Sequence, residues 1–596
     1  MIRLLISLAL TALNPTYSPD STRLAYTDGG NLFVTSVADS STVQLTFDGS
    51  DVILNGRASW VYYEEIFGRS SEYRAFWWSP DSKKIAYYRF DQSGVPGFPI
   101  FSPAGQNGSL NVTRYPKAGQ DNPSVRVMIA DLVTGKTCSA AFDYSLDQYF
   151  GSPFWGDGSD VLYVQREPRR QNVLDLFAVN AADGGTRQVY HEEYPTWVDW
   201  IEGMLFDRNG LYMVRDFETG WQQIYHLGYD GTLKRLSGGC NWGISLIRQE
   251  KGTVWFTARR DSRTRTALYR LDRNGGIRAL TDTALYARNV RCDGDWFEAE
   301  LSTAAVPPRT VRVHKDGRKP AVIVKPAEQA DESRPVPHQV RIANDGFDLY
   351  GLMTLPRGFD ASAKYPVVIE VYGGPGTAYV RDWWKNRDAT NRWCWENGII
   401  WMVVDPRSSG ENGRKGMDEA FRRMTVTELR DYIAWAKWLQ SLPYVKADAI
   451  GVDGFSFGGT TVSMLVLRYP EYFRCGIAGG GVYDWHLYDT HYTERFMDTP
   501  QANPDGYDEA CVLKYVREGR ISPDYRPGSL KLTHGTGDDN VHFQNTLQLM
   551  DALQERGLLF DLMIYPDGMH GYRGKQHEHD AADAASFWSR ELLEIK

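Results

Sequence analysis

Cysteine is scarce: there are six in 596 residues (Cys138, Cys240, Cys292, Cys394, Cys475 and Cys511), with no C-x-x-C pair and no histidine at ligand spacing. That distribution excludes a disulfide scaffold and a zinc site, and no metal or other cofactor is expected. Positive charge is also in deficit, with 66 Lys and Arg against 75 Asp and Glu and a formal net charge of -9. Such a chain has no basic face for a nucleic-acid backbone. Apolar runs of the ~20 residues that a membrane span needs are missing, so neither nucleic acid nor membrane is an expected partner. Glycine, at 56 residues, and aromatics, at 13%, are plentiful. That mixture suits many short strands joined by tight turns. The length exceeds what one hydrophobic core fills and implies roughly two to four units.

Residues 1–13 set one positive charge, Arg3, in an otherwise apolar stretch. This is the outline of a short secretory signal with a poor cleavage site; a buried first strand or a mis-set gene start is the other reading. The expected location is periplasmic or secreted, and cytoplasmic otherwise.

From Asn14 a pattern recurs. Tyr17-Ser-Pro-Asp20 precedes Arg23-Leu-Ala-Tyr26, and Trp78-Ser-Pro-Asp81 precedes Lys84-Ile-Ala-Tyr87. Weaker copies follow at residues 155–164, 209–214 and 252–257. Each is a turn feeding an alternating strand, spaced by roughly one four-stranded blade of ~40 to 60 residues, which predicts a β-propeller. Asp28-Gly29, Asp48-Gly49, Asp183-Gly184, Asp230-Gly231, Asn274-Gly275 and Asp316-Gly317 are the expected hairpin turns. Residues 14–335 thus hold about six blades' worth of sequence. One segment breaks the rhythm: Trp60-Val-Tyr-Tyr-Glu-Glu-Ile-Phe67 surrounds Glu64 and Glu65 with apolar and aromatic side chains. Two desolvated carboxylates repel one another until a cation joins them, so the pair is a receptor for an ammonium group such as a peptide N-terminus.

Residues 325–337 are polar, proline-bearing and aperiodic, and a domain boundary is expected there. Beyond it strands alternate with helices. Buried strands are predicted at 365–372, 399–404, 450–453, 475–478, 530–533 and 560–565, and a helix at 427–442. The alternation argues for a mostly parallel sheet, an α/β-hydrolase domain over 336–596.

Gly454-Phe-Ser-Phe-Gly-Gly459 follows the apolar strand at 450–453 and opens an apolar helix. That is the strand, elbow and helix that exposes a nucleophilic serine, here Ser456. A serine hydroxyl needs a histidine to take its proton and an acid to orient that histidine. In this fold the order is serine, acid, histidine, each after a later strand. Asp538 and His570 stand in that order, with Asp539 and His534 as rivals. The backbone N–H of Phe457 is one expected oxyanion donor, and Tyr372, at a strand end in Val371-Tyr-Gly-Gly-Pro-Gly376, is the other.

Together these residues resemble the dipeptidyl-peptidase IV branch of the prolyl oligopeptidase clan. Trp60 to Phe67 is similar to that branch's double-glutamate motif, and the similarity extends to Tyr115-Pro-Lys-Ala-Gly119, Asp405-Pro-Arg-Ser-Ser-Gly410, residues 482–497 and residues 534–543. The resemblance implies that Glu64 and Glu65 hold a substrate amine beside Tyr488. It implies a proline pocket of Val482, Trp485, Tyr488, Tyr492 and Val541. It also implies Asn540 on a substrate carbonyl, Arg495 in support, Tyr372 as oxyanion donor, peptide substrates, and a homodimer. The implied activity is release of Xaa-Pro, and less readily Xaa-Ala, dipeptides. A related tripeptidyl branch carries the same glutamates, and Asp489 after Tyr488 favours the dipeptidyl reading. A non-catalytic scaffold is the remaining alternative. Relatives place more sequence ahead of the glutamate motif, and an arginine they contribute from that region has no counterpart located here.

Overall fold

The computed structural model describes residues 12–156, 158–329, 334–385 and 389–594. Residues 1–11 of the signal-like stretch lie outside the described residues, and Leu13 begins the first strand.

Residues 13–325 form a propeller of six successive antiparallel sheets, spanning 13–44, 53–139, 148–193, 205–235, 242–279 and 286–325. The repeat copies read in the sequence are the second strands of the first five sheets: Arg23–Asp28, Lys84–Asp91, Val161–Pro168, Gly210–Arg215 and Thr253–Arg259. Their apolar alternation puts alternate side chains on opposite faces, and the core forms between neighbouring sheets. Tyr212 and Ile224 of the fourth sheet pack on Val254 and Phe256 of the fifth, and Trp255 and Leu268 of the fifth pack on Phe297 and Val311 of the sixth. Five of the six expected turns join strands of one sheet. Asp48-Gly49 does not; it lies in the connection between the first sheet and the second, where Asn31 Oδ1 accepts the Gly49 N–H at 2.9 Å.

The second half is one eight-stranded sheet. Its strands are β1 (Pro337–Asn344), β2 (Phe347–Thr354), β3 (Tyr365–Glu370), β4 (Ile400–Val404), β5 (Val445–Phe455), β6 (Cys475–Gly479), β7 (Leu530–Gly535) and β8 (Asp561–Tyr565), in the order 1-2-4-3-5-6-7-8. From β4 through β8 neighbours run parallel, while β1 and β2 form an antiparallel edge. In β3, Val367 and Ile369 pack with Tyr432 and Trp435 of helix α1 (Val426–Gln440), whereas Val368 faces Phe587 and Trp588 on the other side. An unbroken apolar run is what a strand covered on both faces requires. Among the described residues no helix is long and apolar enough to cross a membrane.

The two halves share a core. Tyr88 and Phe90 of the second sheet and Tyr149 and Val164 of the third belong to the same buried cluster as Phe457, Val482, Trp485 and Val541 of the hydrolase half. The propeller therefore packs directly on the residues around the elbow serine.

Candidate active site

Strand β5 ends at Phe455, and helix α2 (Phe457–Arg468) begins one residue after Ser456. Ser456 is held at φ 62° and ψ -121°, a left-handed conformation that a non-glycine residue adopts only when the surroundings impose it. The flanking glycines are steric necessities. A Cβ on Gly454 would lie 2.6 Å from the Gly458 carbonyl oxygen, and one on Gly458 would lie 2.5 Å from that of Val371. This close approach of helix to sheet projects the hydroxyl above the carboxyl ends of the strands.

The loops after β7 and β8 bring the other two groups. Ser456 Oγ lies 2.9 Å from His570 Nε2, and His570 Nδ1 lies 2.7 Å from Asp538 Oδ2. The second oxygen of Asp538 accepts the backbone N–H groups of Asn540 and Val541, both at 3.0 Å. Burial opposes its charge, but His570 and the hydrogen bonds from His534 and His570 outweigh it, so the carboxyl is held below the usual carboxylate range. An ionised acid fixed this way holds the imidazole with Nε2 free to take the serine proton. The rivals are otherwise engaged: His534 lies 3.4 Å from Asp538 Oδ2 but is bound to Thr546 and the Val541 carbonyl, and Asp539 pairs with Arg69 at 2.9 Å.

Phe457 is the first residue of α2, so its N–H has no acceptor within the helix. Tyr372 stacks on Tyr379 with ring centroids 4.8 Å apart, and its hydroxyl interacts with Ser456. Burial, with the charge of Glu65, pushes its phenol up to about 12, so it keeps a proton to donate at neutral pH. These two groups are positioned as oxyanion donors.

Glu64 and Glu65 lie in one wide π-helical turn, Tyr62–Ile66. Glu64 already has a cation, because Arg69 pairs with it, and it also accepts the Asn540 side-chain amide at 3.0 Å. The two carboxylates of the ammonium receptor read from the sequence are thus not equivalent. Among the described residues Glu65 has no such ion pair; Arg495 offsets its charge only in part, and it faces Asp489. Burial and the charges of Asp489 and Glu64 raise its carboxyl well above the usual range. Asp489 caps helix α3 (Thr490–Met497), one oxygen accepting the His491 and Tyr492 N–H groups at 2.8 and 2.9 Å. Its other oxygen is buried, and the Asp489 carboxyl hydrogen-bonds Glu65 when one of the two keeps a proton. Glu64 feels the charge of His570, and Glu65 acts on Tyr372, so the anionic turn faces the serine centre.

Trp485, Tyr488 and Tyr492 enclose the pocket residues Val482 and Val541. Tyr488 meets Tyr492 edge-on at 5.6 Å, and Trp485 meets Phe457 at 5.5 Å. Tyr488 donates to Asn540 Oδ1 at 2.7 Å, which ties the pocket to the Glu64 side of the site. Arg495 lies beneath Glu65, bound to Gln171 at 2.8 Å and to Asp199 at 3.2 Å. Arg69 was missed in the sequence, although an arginine four residues past Glu65 was the available signal. Among the described residues no group of three or more His, Cys, Asp or Glu could hold a metal.

A Ser-His-Asp centre on an α/β-hydrolase sheet, capped by a propeller that carries an anionic turn, defines a serine acyl-transfer site closed on one side. Residues 6–304 match the dipeptidyl peptidase IV (DPP IV) N-terminal region, and residues 385–594 match the prolyl oligopeptidase family. The chain belongs to the dipeptidyl-peptidase IV branch of the prolyl oligopeptidase family. It is 29% identical to a probable dipeptidyl-aminopeptidase B of Uncinocarpus reesii, over 93% of this chain and 64% of that protein. It is 30% identical to one of Emericella nidulans, over 93% and 65%. The chain thus spans less than two thirds of the length of these curated relatives. Dipeptidyl peptidase 4 of Porphyromonas gingivalis superposes with a TM-score of 0.89 at 28% identity, covering 98% of this chain and 83% of that one. A putative dipeptidyl aminopeptidase IV of Bacteroides ovatus gives 0.87 at 27%, covering 98% and 84%.

Proposed function

We propose that the protein is a serine exopeptidase that releases Xaa-Pro dipeptides from the N-termini of peptides. The observation that carries this reading is the desolvated Glu65 carboxyl, without an ion pair among the described residues, facing the serine centre. An ammonium group bound there fixes the peptide's first residue, so Ser456 reaches only a carbonyl a set distance along the chain. Ser456 attacks that carbonyl as His570 takes its proton. Tyr372 and the Phe457 N–H receive the developing oxyanion, and His570 returns the proton to the leaving amine. A proline ring fills the box of Val482, Trp485, Tyr488, Tyr492 and Val541. Relative to alanine it buries about two more methylenes, at roughly 0.8 kcal/mol each, so Xaa-Ala is cleaved on the order of tenfold less readily. The names of these relatives and of two structural neighbours support a dipeptide-releasing activity.

Release of a chromophore from Gly-Pro, N-acetyl-Gly-Pro and Ala-Ala-Pro amides tests this. The free-amine dipeptide is expected to be cleaved, and the blocked one spared. A preference for Ala-Ala-Pro would make the protein a tripeptidyl enzyme instead.

A further inference from the structure

The interior of the propeller leaves a cavity of about 370 Å³ that opens at Glu65. Besides Glu65, three carboxylates line it, Asp199, Glu202 and Asp216, together with the apolar faces of Trp200 and Ile244. Two arginines line it as well, but both are committed. Arg215 makes a two-pronged pair with Glu192 at 2.6 and 2.8 Å and gives its remaining nitrogen to the Asp199 carbonyl at 2.7 Å. Arg495 is shared among Gln171, Asp199 and, at 3.7 Å, Glu167. Glu192 therefore absorbs the charge of Arg215 from behind, and Arg495 is set against four lining carboxylates, so the lining is left negative.

Two of the lining carboxylates feel arginines at a distance, Arg414 and Arg215 acting on Asp216 and Arg495 on Glu202, but neither is held in an ion pair. Among the described residues Asp216 and Glu202 have no side-chain hydrogen bond and no ion-pair partner. Burial, opposed by Arg414 and assisted by the charge of Asp199, pushes the Asp216 carboxyl up to about 6. Glu202 is an exposed residue at the rim, and partial desolvation of its carboxyl with the charge of Asp199 raises it likewise, against Arg495. A partly desolvated carboxylate that is not held in an ion pair gains from a cation that enters and replaces lost water. The carboxylates are not grouped as metal ligands among the described residues. An acidic end reached along Trp200 and Ile244 fits a cation on a methylene stem, whose carbons lie on the apolar faces while its head meets the acids.

The position of the cavity decides which cation. Glu65 belongs both to its wall and to the amine anchor, and the Cα that carries a peptide's N-terminal amine also carries its first side chain. We infer that this cavity receives the side chain of the substrate's N-terminal residue and selects lysine or arginine there, so that peptides beginning Lys-Pro or Arg-Pro are the preferred substrates. The inference rests on the dipeptide-releasing reading above.

The test compares kcat/KM for Lys-Pro, norleucine-Pro, Glu-Pro and Gly-Pro chromogenic amides. Norleucine matches the lysine stem and lacks the charge. Lys-Pro is expected to exceed norleucine-Pro by on the order of tenfold, and Glu-Pro to fall below it by a similar factor. Raising the ionic strength from about 0.02 to about 0.5 M shrinks the gap, because salt screens a cavity open to solvent. Asp216→Asn and Glu202→Gln each lower the lysine-to-norleucine ratio. Equal turnover of Lys-Pro and norleucine-Pro by the unaltered protein, or variants that slow both substrates alike, overturns the inference while leaving Gly-Pro release intact. Loss of all four amides with simple esters still hydrolysed overturns the dipeptide-releasing reading, and this inference with it.

Discussion

The Glu65 and Asp489 carboxyls meet in a side-chain hydrogen bond, with no cation between them among the described residues. Burial pushes Asp489 up to about 7, and the charges of Glu64 and Glu494 add to the shift. Glu65 is itself raised well above its usual range and keeps a proton, and below about 7 Asp489 adds a second that an incoming ammonium must displace. Amine binding therefore weakens as pH falls through about 7, and weakens again above about 8 as the peptide's own amine loses its proton. The ratio of Gly-Pro amide to acetyl-ester kcat/KM is expected to rise between pH 6 and 7.5, at values set by these two groups. A ratio flat across that interval would place the amine elsewhere.

Glu65→Gln should remove that rise and lower Gly-Pro kcat/KM by at least on the order of a hundredfold, because a desolvated ammonium would lose its counter-charge. Ester hydrolysis is expected to persist, since Ser456, His570 and Asp538 are untouched. Glu64→Gln should cost less than Glu65→Gln, given that Arg69 already neutralises Glu64. Equal losses of both activities in either variant would make the turn a structural element only.

For the chemical step, Ser456→Ala is expected to abolish turnover of both amide and ester, and Asp538→Asn to lower kcat by about 10⁴ through the wrong imidazole tautomer. Tyr372→Phe removes one donor to the oxyanion and should lower kcat by about 10² to 10³ with KM little changed. A change in KM alone would show that the phenol only packs on Tyr379.

Much of this architecture was legible in the sequence because its signals are local. The propeller showed in the second strands, where a turn and an apolar alternation recur together. The parallel sheet showed in β3 to β8, whose runs are apolar on both faces. Strands β1 and β2 escaped notice: β1 is an exposed edge whose residues, such as His338, Gln339 and Arg341, have no strong apolar run. The order of Ser456, Asp538 and His570 along the chain was legible because each follows a recognisable strand. The pairing of Arg69 with Glu64 was not, since it depends on how a short turn folds back. Nor was the cavity beside Glu65, whose walls come from the fourth and fifth propeller sheets and the connection before them, together with helix α3.

How the propeller positions the site can be tested at Arg169 and Glu494. Arg169, from the third sheet, grips Glu494 of α3 with two nitrogens, each 2.6 Å from a carboxylate oxygen. The same helix carries Asp489 at its cap, Tyr492 in the pocket and Arg495 beneath Glu65, so this pair fixes the anchor against the pocket. The partners differ in what they leave behind. The Glu494 side chain is 1% exposed, whereas that of Arg169 is 17% exposed and also holds Asp147 at 3.0 Å and the Gln120 carbonyl at 2.8 Å. Arg169→Met therefore strands a buried carboxylate and should cost about 3 to 5 kcal/mol, whereas Glu494→Gln leaves an arginine that keeps other acceptors and water, and should cost less. Thermal unfolding gives the order of the two, and steady-state kinetics should show a raised KM for Gly-Pro amide in Arg169→Met with a smaller effect on ester turnover. If Glu494→Gln proves the more damaging, the clamp is a glutamate-centred cap on Gly119 and Arg169 is secondary, because Glu494 also accepts the Gly119 N–H at 2.8 Å.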